Sequence, residues 1–159
     1  MSAAEDAGAA GGRAVPRILI ADDERFARRM LADYLGELGF SVVGEAPDGG
    51  AAVRMAAALA PDIVLMDVRM PHMDGIEATR RILERDPGVA VVVLSAYEDP
   101  GLIESAAGAG ACRYLLKGCA PGALSDALLD AWSTCGRGRS GRSGAGPEDV
   151  PPGPPPAGP

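Results

Sequence analysis

The chain has 159 residues, which suits one domain with tails and leaves little room for two. Its formal net charge of -7 argues against a nucleic-acid-binding surface, because such surfaces are usually basic. There is no signal-peptide pattern and no apolar run of membrane-spanning length, so we expect a cytoplasmic protein without membrane association.

The two ends differ in composition from the middle of the chain. Residues 1–16 are rich in alanine and glycine, and residues 136–159 are rich in glycine, proline and serine. Ordering such segments costs conformational entropy that little burial would offset. We therefore predict a disordered lead-in over 1–16, one domain over 17–135 and a disordered tail over 136–159.

Short apolar runs alternate with segments of helical periodicity between these ends. The strand candidates are, in chain order, Arg17–Ala21, Ser41–Ala46, Asp62–Met66, Ala90–Ser95 and Arg113–Leu116. Several are almost wholly apolar, which is typical of strands that are buried on both faces of a parallel sheet.

Helix signals follow the strands. The first helix is predicted to run from Arg25 to just before Gly39. Its expected apolar stripe consists of Phe26, Met30, Leu31, Tyr34, Leu35 and Leu38. Asp74, with a glutamate three residues later, predicts a capping box for a later helix. Pro100 and Pro121 mark the first turns of the last two helices.

The three cysteines are Cys112, Cys119 and Cys135. They include no C-x-x-C pair, and the chain has a single histidine. This pattern predicts neither a zinc site nor a disulfide framework, and the odd cysteine count favours a reducing compartment.

Five alternating strand–helix units predict a parallel sheet with helices on both faces, since the crossovers are right-handed. Ligands bind such sheets beyond the carboxyl ends of the strands. The residues at these strand ends all have charged or hydrogen-bonding side chains: Asp22, Asp23, Asp67, Ser95 and Lys117. Three adjacent carboxylates repel one another unless a cation offsets them, so we expect Mg²⁺ at this edge.

The same set of residues suits phosphoryl transfer. A carboxylate can act as a nucleophile and form an aspartyl phosphate. The metal and Lys117 would neutralise charge on the transferring group, and the Ser95 hydroxyl would hydrogen-bond one of its oxygens. Taken singly, Asp22 is more often a helix cap and Ser95 carries no information. The order of acid pair, acid, hydroxyl and ammonium is what predicts the site.

Four segments resemble the receiver domain of two-component response regulators, in the subfamily that usually carries a LuxR-type helix-turn-helix. These segments are IADDE (20–24), DIVLMDVRMPHMDGIEATRRI (62–82), VVLSAYE (92–98) and YLLKG (114–118). The resemblance covers residues 17–132. It implies a flavodoxin-like (βα)5 three-layer sandwich, with five parallel strands in the order 2-1-3-4-5.

The resemblance also implies the acceptor and its metal ligands. Asp67 matches the phosphoacceptor of the family. Asp23 and Asp67 would bind Mg²⁺ directly, Asp22 would contribute through water, and the main-chain carbonyl of Arg69 would supply a further ligand.

Five matching positions, one of them Arg69 again, are implied to respond to phosphorylation or to tune it. Ser95 matches the switch hydroxyl, Tyr114 the aromatic side chain that turns inward on activation, and Lys117 the lysine that pairs with the phosphoryl group. Arg69 and Tyr97 each lie two residues past a site residue and would tune dephosphorylation.

The implied partner is a sensor histidine kinase, and a homodimer that forms on phosphorylation is expected by the same resemblance. No enzymatic activity is expected beyond self-phosphorylation and self-dephosphorylation at Asp67. The face of the fourth helix, fifth strand and fifth helix would switch on phosphorylation.

The output of this domain has two interpretations. The chain is either a stand-alone receiver that acts through protein contacts, or a shortened member of a DNA-binding LuxR-type regulator family, and by itself it is not expected to bind DNA. An aspartyl-phosphate hydrolase of the haloacid dehalogenase kind is disfavoured, because Arg69 stands where that fold needs a second aspartate.

Overall fold

A computed structural model describes residues 15–136, which form five parallel strands between two layers of helices. The elements are β1 (Arg17–Ala21), α1 (Arg25–Glu37), β2 (Ser41–Ala46), α2 (Gly49–Leu59), β3 (Ile63–Met66), α3 (Gly75–Arg85), β4 (Ala90–Ser95), α4 (Pro100–Ala109), β5 (Arg113–Leu116) and α5 (Pro121–Thr134). The strand order is β2-β1-β3-β4-β5, which confirms the flavodoxin-like fold. Nearly all of the predicted lead-in and tail lies outside the described residues, so the domain limits stay a prediction.

The core consists of two apolar clusters, one on each face of the sheet. Successive strand residues point to opposite faces. Val64 of β3 therefore packs with α2, α3 and α4, whereas its neighbours Ile63 and Leu65 pack with α1 and α5. All residues of β3 and β4 are buried, as expected for strands at the centre of a parallel sheet. Burial of each large side chain contributes roughly 1.5–3 kcal/mol.

The predicted apolar stripe of α1 is only partly buried. Leu35 is fully buried, and Leu31 and Tyr34 pack against the core. Phe26 and Met30 are 76% and 55% exposed, and Leu38 is also exposed, so the prediction is wrong for these three. Helix α1 contacts β1 and β2, and it buries the part of its apolar stripe around Leu35 but leaves the rest in solvent.

Two helix starts have the predicted side-chain caps, although the Glu77 side chain forms ion pairs within α3 and does not complete the capping box. The Asp74 side chain accepts a hydrogen bond from the backbone N–H of Glu77 at 2.9 Å, and the Asp99 side chain accepts one from Gly101 at 2.8 Å. Pro100 occupies the first turn of α4. These bonds satisfy N–H groups that have no partner within the helix.

A disulfide joins Cys112, which precedes β5, to Cys135, the residue after α5. The prediction of no disulfide framework is wrong for this pair. The two residues are 23 positions apart in sequence, yet their Cα atoms are 6.5 Å apart. In a strand–helix unit the helix returns alongside the strand, so the end of α5 lies beside the start of β5. Cys119 is a free thiol.

Candidate functional site

Three carboxylates converge at the carboxyl edge of the sheet. Asp22 and Asp23 follow β1 and Asp67 follows β3, and these two strands are parallel neighbours. One carboxylate oxygen from each residue lies within 4.8 Å of the others. Asp22 and Asp67 are buried, whereas Asp23 is exposed and opens the cluster to solvent. An open group of hard oxygen donors fits Mg²⁺, which binds through one or two carboxylates and keeps several waters.

Main-chain hydrogen bonds fix the positions of the two buried acids. The backbone N–H of Asp67 donates to the carbonyl of Ala21 at 2.9 Å, and that of Asp22 donates to the carbonyl of Ala46 at 3.0 Å. The Oδ1 atom of Asp22 accepts a hydrogen bond from the backbone N–H of Glu24 at 2.8 Å. The sheet ladder therefore continues into the site and leaves the Oδ2 atom of Asp22 for another partner.

Lys117 supplies that partner. Its Nζ lies 2.9 Å from Oδ2 of Asp22 and 3.4 Å from Oδ2 of Asp67. Its backbone N–H donates to the carbonyl of Ser95 at 2.7 Å, which joins the ends of β4 and β5. Burial alone would lower the pKa of Lys117, but the hydrogen bond to Asp22 and the charge of Asp67 raise it above its usual value. Lys117 is therefore a cation inside the acid cluster.

Asp67 has a strongly perturbed carboxyl group. Burial is the largest cause and raises its pKa, the charge of Lys117 lowers it, and the charge of Asp22 raises it again, so that the pKa reaches about 6. Above that pH the carboxylate is ionised and carries no proton that a base would need to remove. The ionised group is thus chemically able to act as a nucleophile near neutral pH.

The other predicted residues form a second group that is centred on Tyr97. Ser95 is fully buried, and its Oγ accepts a hydrogen bond from the backbone N–H of Tyr97 at 3.1 Å. The hydroxyl of Tyr114 donates to the carbonyl of Tyr97 at 2.7 Å. The guanidinium carbon of Arg69 lies 4.4 Å from the centroid of the Tyr97 ring, which is cation–π geometry.

Arg69 connects this second group to the acids, because Arg69 and Asp23 line the same open cleft. The structure therefore brings Asp22, Asp23, Asp67 and Lys117 into one cluster at the end of the sheet. The other four residues lie beside this cluster, with Ser95 at the end of β4, Tyr114 in β5, and Arg69 and Tyr97 in the adjoining loops.

Two supporting residues extend the predicted set. Arg28 of α1 donates from its guanidinium to the carbonyl of Asp22 at 2.6 Å, a contact that no sequence signal indicates. Gly75 opens α3, and a Cβ at that position would lie 1.9 Å from the main-chain oxygen of Asp67. Glycine at 75 therefore permits the close approach of α3 to the acceptor loop.

Comparisons with known proteins agree with this geometry. The family model for the response regulator receiver domain matches residues 18–129. The transcriptional regulatory protein PdtaR of Mycobacterium tuberculosis is 46% identical over 116 residues, which are 72% of this chain and 55% of that protein. The chemotaxis protein CheY of Thermotoga maritima is 40% identical over 112 residues, which are 70% of this chain and 93% of that protein.

Solved structures give the same result. A two-component response regulator of the LuxR family from Aurantimonas sp. matches with a TM-score of 0.72 at 31% identity. The match covers 76% of this chain and 86% of that chain. The chain thus spans about half the length of PdtaR and most of the length of CheY.

Proposed function

This chain belongs to the response regulator receiver domain family of phosphorelay signalling, and we propose that Asp67 is the residue that accepts the phosphoryl group. Its donor would be the phosphohistidine of a sensor histidine kinase. The observation that carries the proposal is the position of the Asp67 carboxylate, within reach of Lys117 and of two further carboxylates.

The transfer itself needs little covalent chemistry from the protein. An oxygen of Asp67 attacks phosphorus as the phosphorus–nitrogen bond to the donor histidine breaks, and the electron pair leaves with the imidazole. Lys117 keeps its contact to Asp22 as an anchor and directs its ammonium at the incoming phosphoryl oxygens. Stabilisation of developing charge is the main catalytic contribution in such transfers.

The acid cluster would hold Mg²⁺ through Asp23, Asp67 and the main-chain oxygen of Arg69, with Asp22 acting through water. The bound ion would supply positive charge next to the phosphoryl oxygens. Three carboxylates against one lysine leave net negative charge at the site, and this charge supports the proposal of a resident divalent cation.

Tyr97 is the residue through which phosphorylation would reach the signalling surface. Its backbone N–H is bonded to Ser95 and its carbonyl to Tyr114. When the Ser95 hydroxyl turns toward the phosphoryl group, the first bond breaks and the loop between β4 and α4 becomes free to move. Tyr114 then follows the loop and repacks the face formed by α4, β5 and α5. This is a local charge event that biases a two-state element.

Labelling with acetyl phosphate and Mg²⁺ tests the acceptor. The wild-type chain should gain one phosphoryl group by intact mass, Asp67→Asn should gain none, and chelation of the metal should abolish labelling. Asp33→Asn serves as the matched control, because Asp33 is an exposed carboxylate on α1 away from the site. Equal labelling of the wild type and Asp67→Asn would refute the assignment.

Receiver domains act as signalling domains, and we propose that this one works in the cytoplasm through protein contacts. No helix within residues 15–136 is long and apolar enough to cross a bilayer. The negative net charge supports a protein partner, including a second copy of the phosphorylated chain, over DNA.

Size-exclusion chromatography with and without acetyl phosphate tests whether the chain dimerises on phosphorylation. A gel-shift assay with DNA and the phosphorylated chain tests whether the chain acts through protein contacts alone. A sequence-specific complex with DNA would contradict that proposal.

A further inference from the structure

We propose that the Cys112–Cys135 disulfide is a redox-active site whose reduction by a dithiol loosens the last turn of α5 and slows phosphoryl transfer to Asp67. The effect on transfer rests on the proposed function, whereas the redox chemistry does not. The reaction class is thiol–disulfide exchange with a small dithiol or a dithiol protein.

The disulfide encloses the part of the chain that responds to phosphorylation. Cys112 and Cys135 bracket β5, the loop that carries Lys117, and all of α5. Tyr114 and Lys117 both lie within this closed segment. A covalent link between its two ends therefore limits the movement of the fifth strand and fifth helix relative to each other.

The last turn of α5 lies nearer the surface than the turns before it. The side chains of Leu124, Leu128 and Ala131 are buried, whereas Trp132 is only partly buried against the core and Thr134 is exposed. The ion pair of Arg113 with Asp130 is 44% and 43% exposed, and ion pairs in water contribute little. The disulfide is the covalent link between the end of α5 and the start of β5, and it adds to these partly exposed contacts.

The bond is placed where a reductant can reach it, because Cys112 and Cys135 are both only partly buried. A thiolate of the reductant attacks one sulfur, which forms a mixed disulfide and releases the other cysteine. The second thiol of the reductant then attacks the mixed disulfide and releases the remaining cysteine. Two electrons and two protons pass to the two cysteines, and the reductant leaves as a disulfide. In a reducing compartment such a bond is typically transient and redox-sensing rather than a permanent link.

Trp132 provides a direct reporter of the last turn. It is the only tryptophan of the chain and lies three residues before Cys135. Its indole N–H is buried and has no hydrogen-bond partner among the described residues. If the turn loosens, water reaches the indole and its emission moves to longer wavelength.

The experiment uses the full chain in oxidised form and after treatment with dithiothreitol. Free thiols should number one in the oxidised chain, from Cys119, and three after reduction, one for each cysteine. Reduction should shift the Trp132 emission to longer wavelength. It should also slow acetyl phosphate labelling about twofold or more, since misplacement of Lys117 weakens transition-state positioning.

Two variants separate this effect from nonspecific reduction. The double variant Cys112→Ser with Cys135→Ser should behave like the reduced chain whether or not dithiothreitol is present. Cys119→Ser should respond to dithiothreitol like the wild type.

Three free thiols in the air-oxidised chain would overturn the proposal, and so would identical emission and labelling in the two redox states. If neither redox state is labelled, the proposed function fails. The redox site is then decided by the thiol count and the emission shift alone.

Discussion

Replacement of Asp67 by asparagine should make the metal-free protein more stable at pH 8, and the pKa of the carboxyl group sets the size of the gain. Burial raises this pKa from an ordinary 3.8 to about 6 in the folded chain. Such a group favours folding when it is protonated. Its contribution is fully present below pH 3.8 and is lost as the pH rises through about 6.

The difference of about two pH units corresponds to ~3 kcal/mol of folding free energy, at ~1.36 kcal/mol per unit. Asparagine has a similar shape and no charge, so Asp67→Asn avoids this cost. The gain in stability should be ~3 kcal/mol at pH 8 and about half of that at pH 5, where the buried carboxyl is mostly protonated.

Urea unfolding of the wild type and Asp67→Asn, in the presence of a chelator at both pH values, measures the gain. Comparison of two variants at the same pH cancels the titration of the other groups. Asp33→Asn should show a change within ~0.5 kcal/mol at either pH, since its carboxylate is exposed. Addition of Mg²⁺ should stabilise the wild type more than Asp67→Asn, because the proposed metal site exists only in the folded chain. A gain that is absent at pH 8, or that does not fall toward pH 5, would refute the reasoning that burial governs this ionisation.

The remaining predictions concern Lys117, the cation–π contact of Arg69 with Tyr97, and the glycine at the start of α3. Lys117→Gln removes the ammonium and should slow acetyl phosphate labelling at least ~10-fold; an unchanged initial rate would contradict its role. Arg69→Ala uncovers the ring of Tyr97 and should speed the loss of the phosphoryl label about twofold or more, as water gains access to the acceptor; slower decay would count against a shielding role. Gly75→Ala should destabilise the fold by ~2 kcal/mol or more, because its Cβ would meet a main-chain oxygen. Gly108→Ala on α4, with open space around it, should be neutral or stabilising by up to ~1 kcal/mol; equal melting temperatures for the two glycine variants would contradict this.

The sequence predicts the strands and the acid cluster well for a physical reason. Buried parallel strands are continuous apolar runs, so four of the five strands match the predicted bounds and β3 begins one residue later, at Ile63. Because the carboxyl ends of parallel strands share one edge, the sequence alone predicts that Asp22, Asp67 and Lys117 lie together, as they do.

The features that the sequence does not predict depend on how the helices pack against the sheet. The exposure of Phe26 and Met30 follows from where α1 lies on the sheet, which helical periodicity does not encode. The pairing of Cys112 with Cys135 follows from the return of α5 along β5, which cysteine spacing does not reveal.

The contact of Lys117 with Asp22 also bears on when the protein becomes competent during its synthesis. The two residues are 95 positions apart, so the ribosome adds the lysine ~5–20 s after the aspartate at about 5–20 residues per second. Until β5 has emerged and paired with β4, Asp22 and Asp67 repel each other without their ammonium. Competence for the proposed phosphorylation therefore requires a chain whose fold is complete through β5.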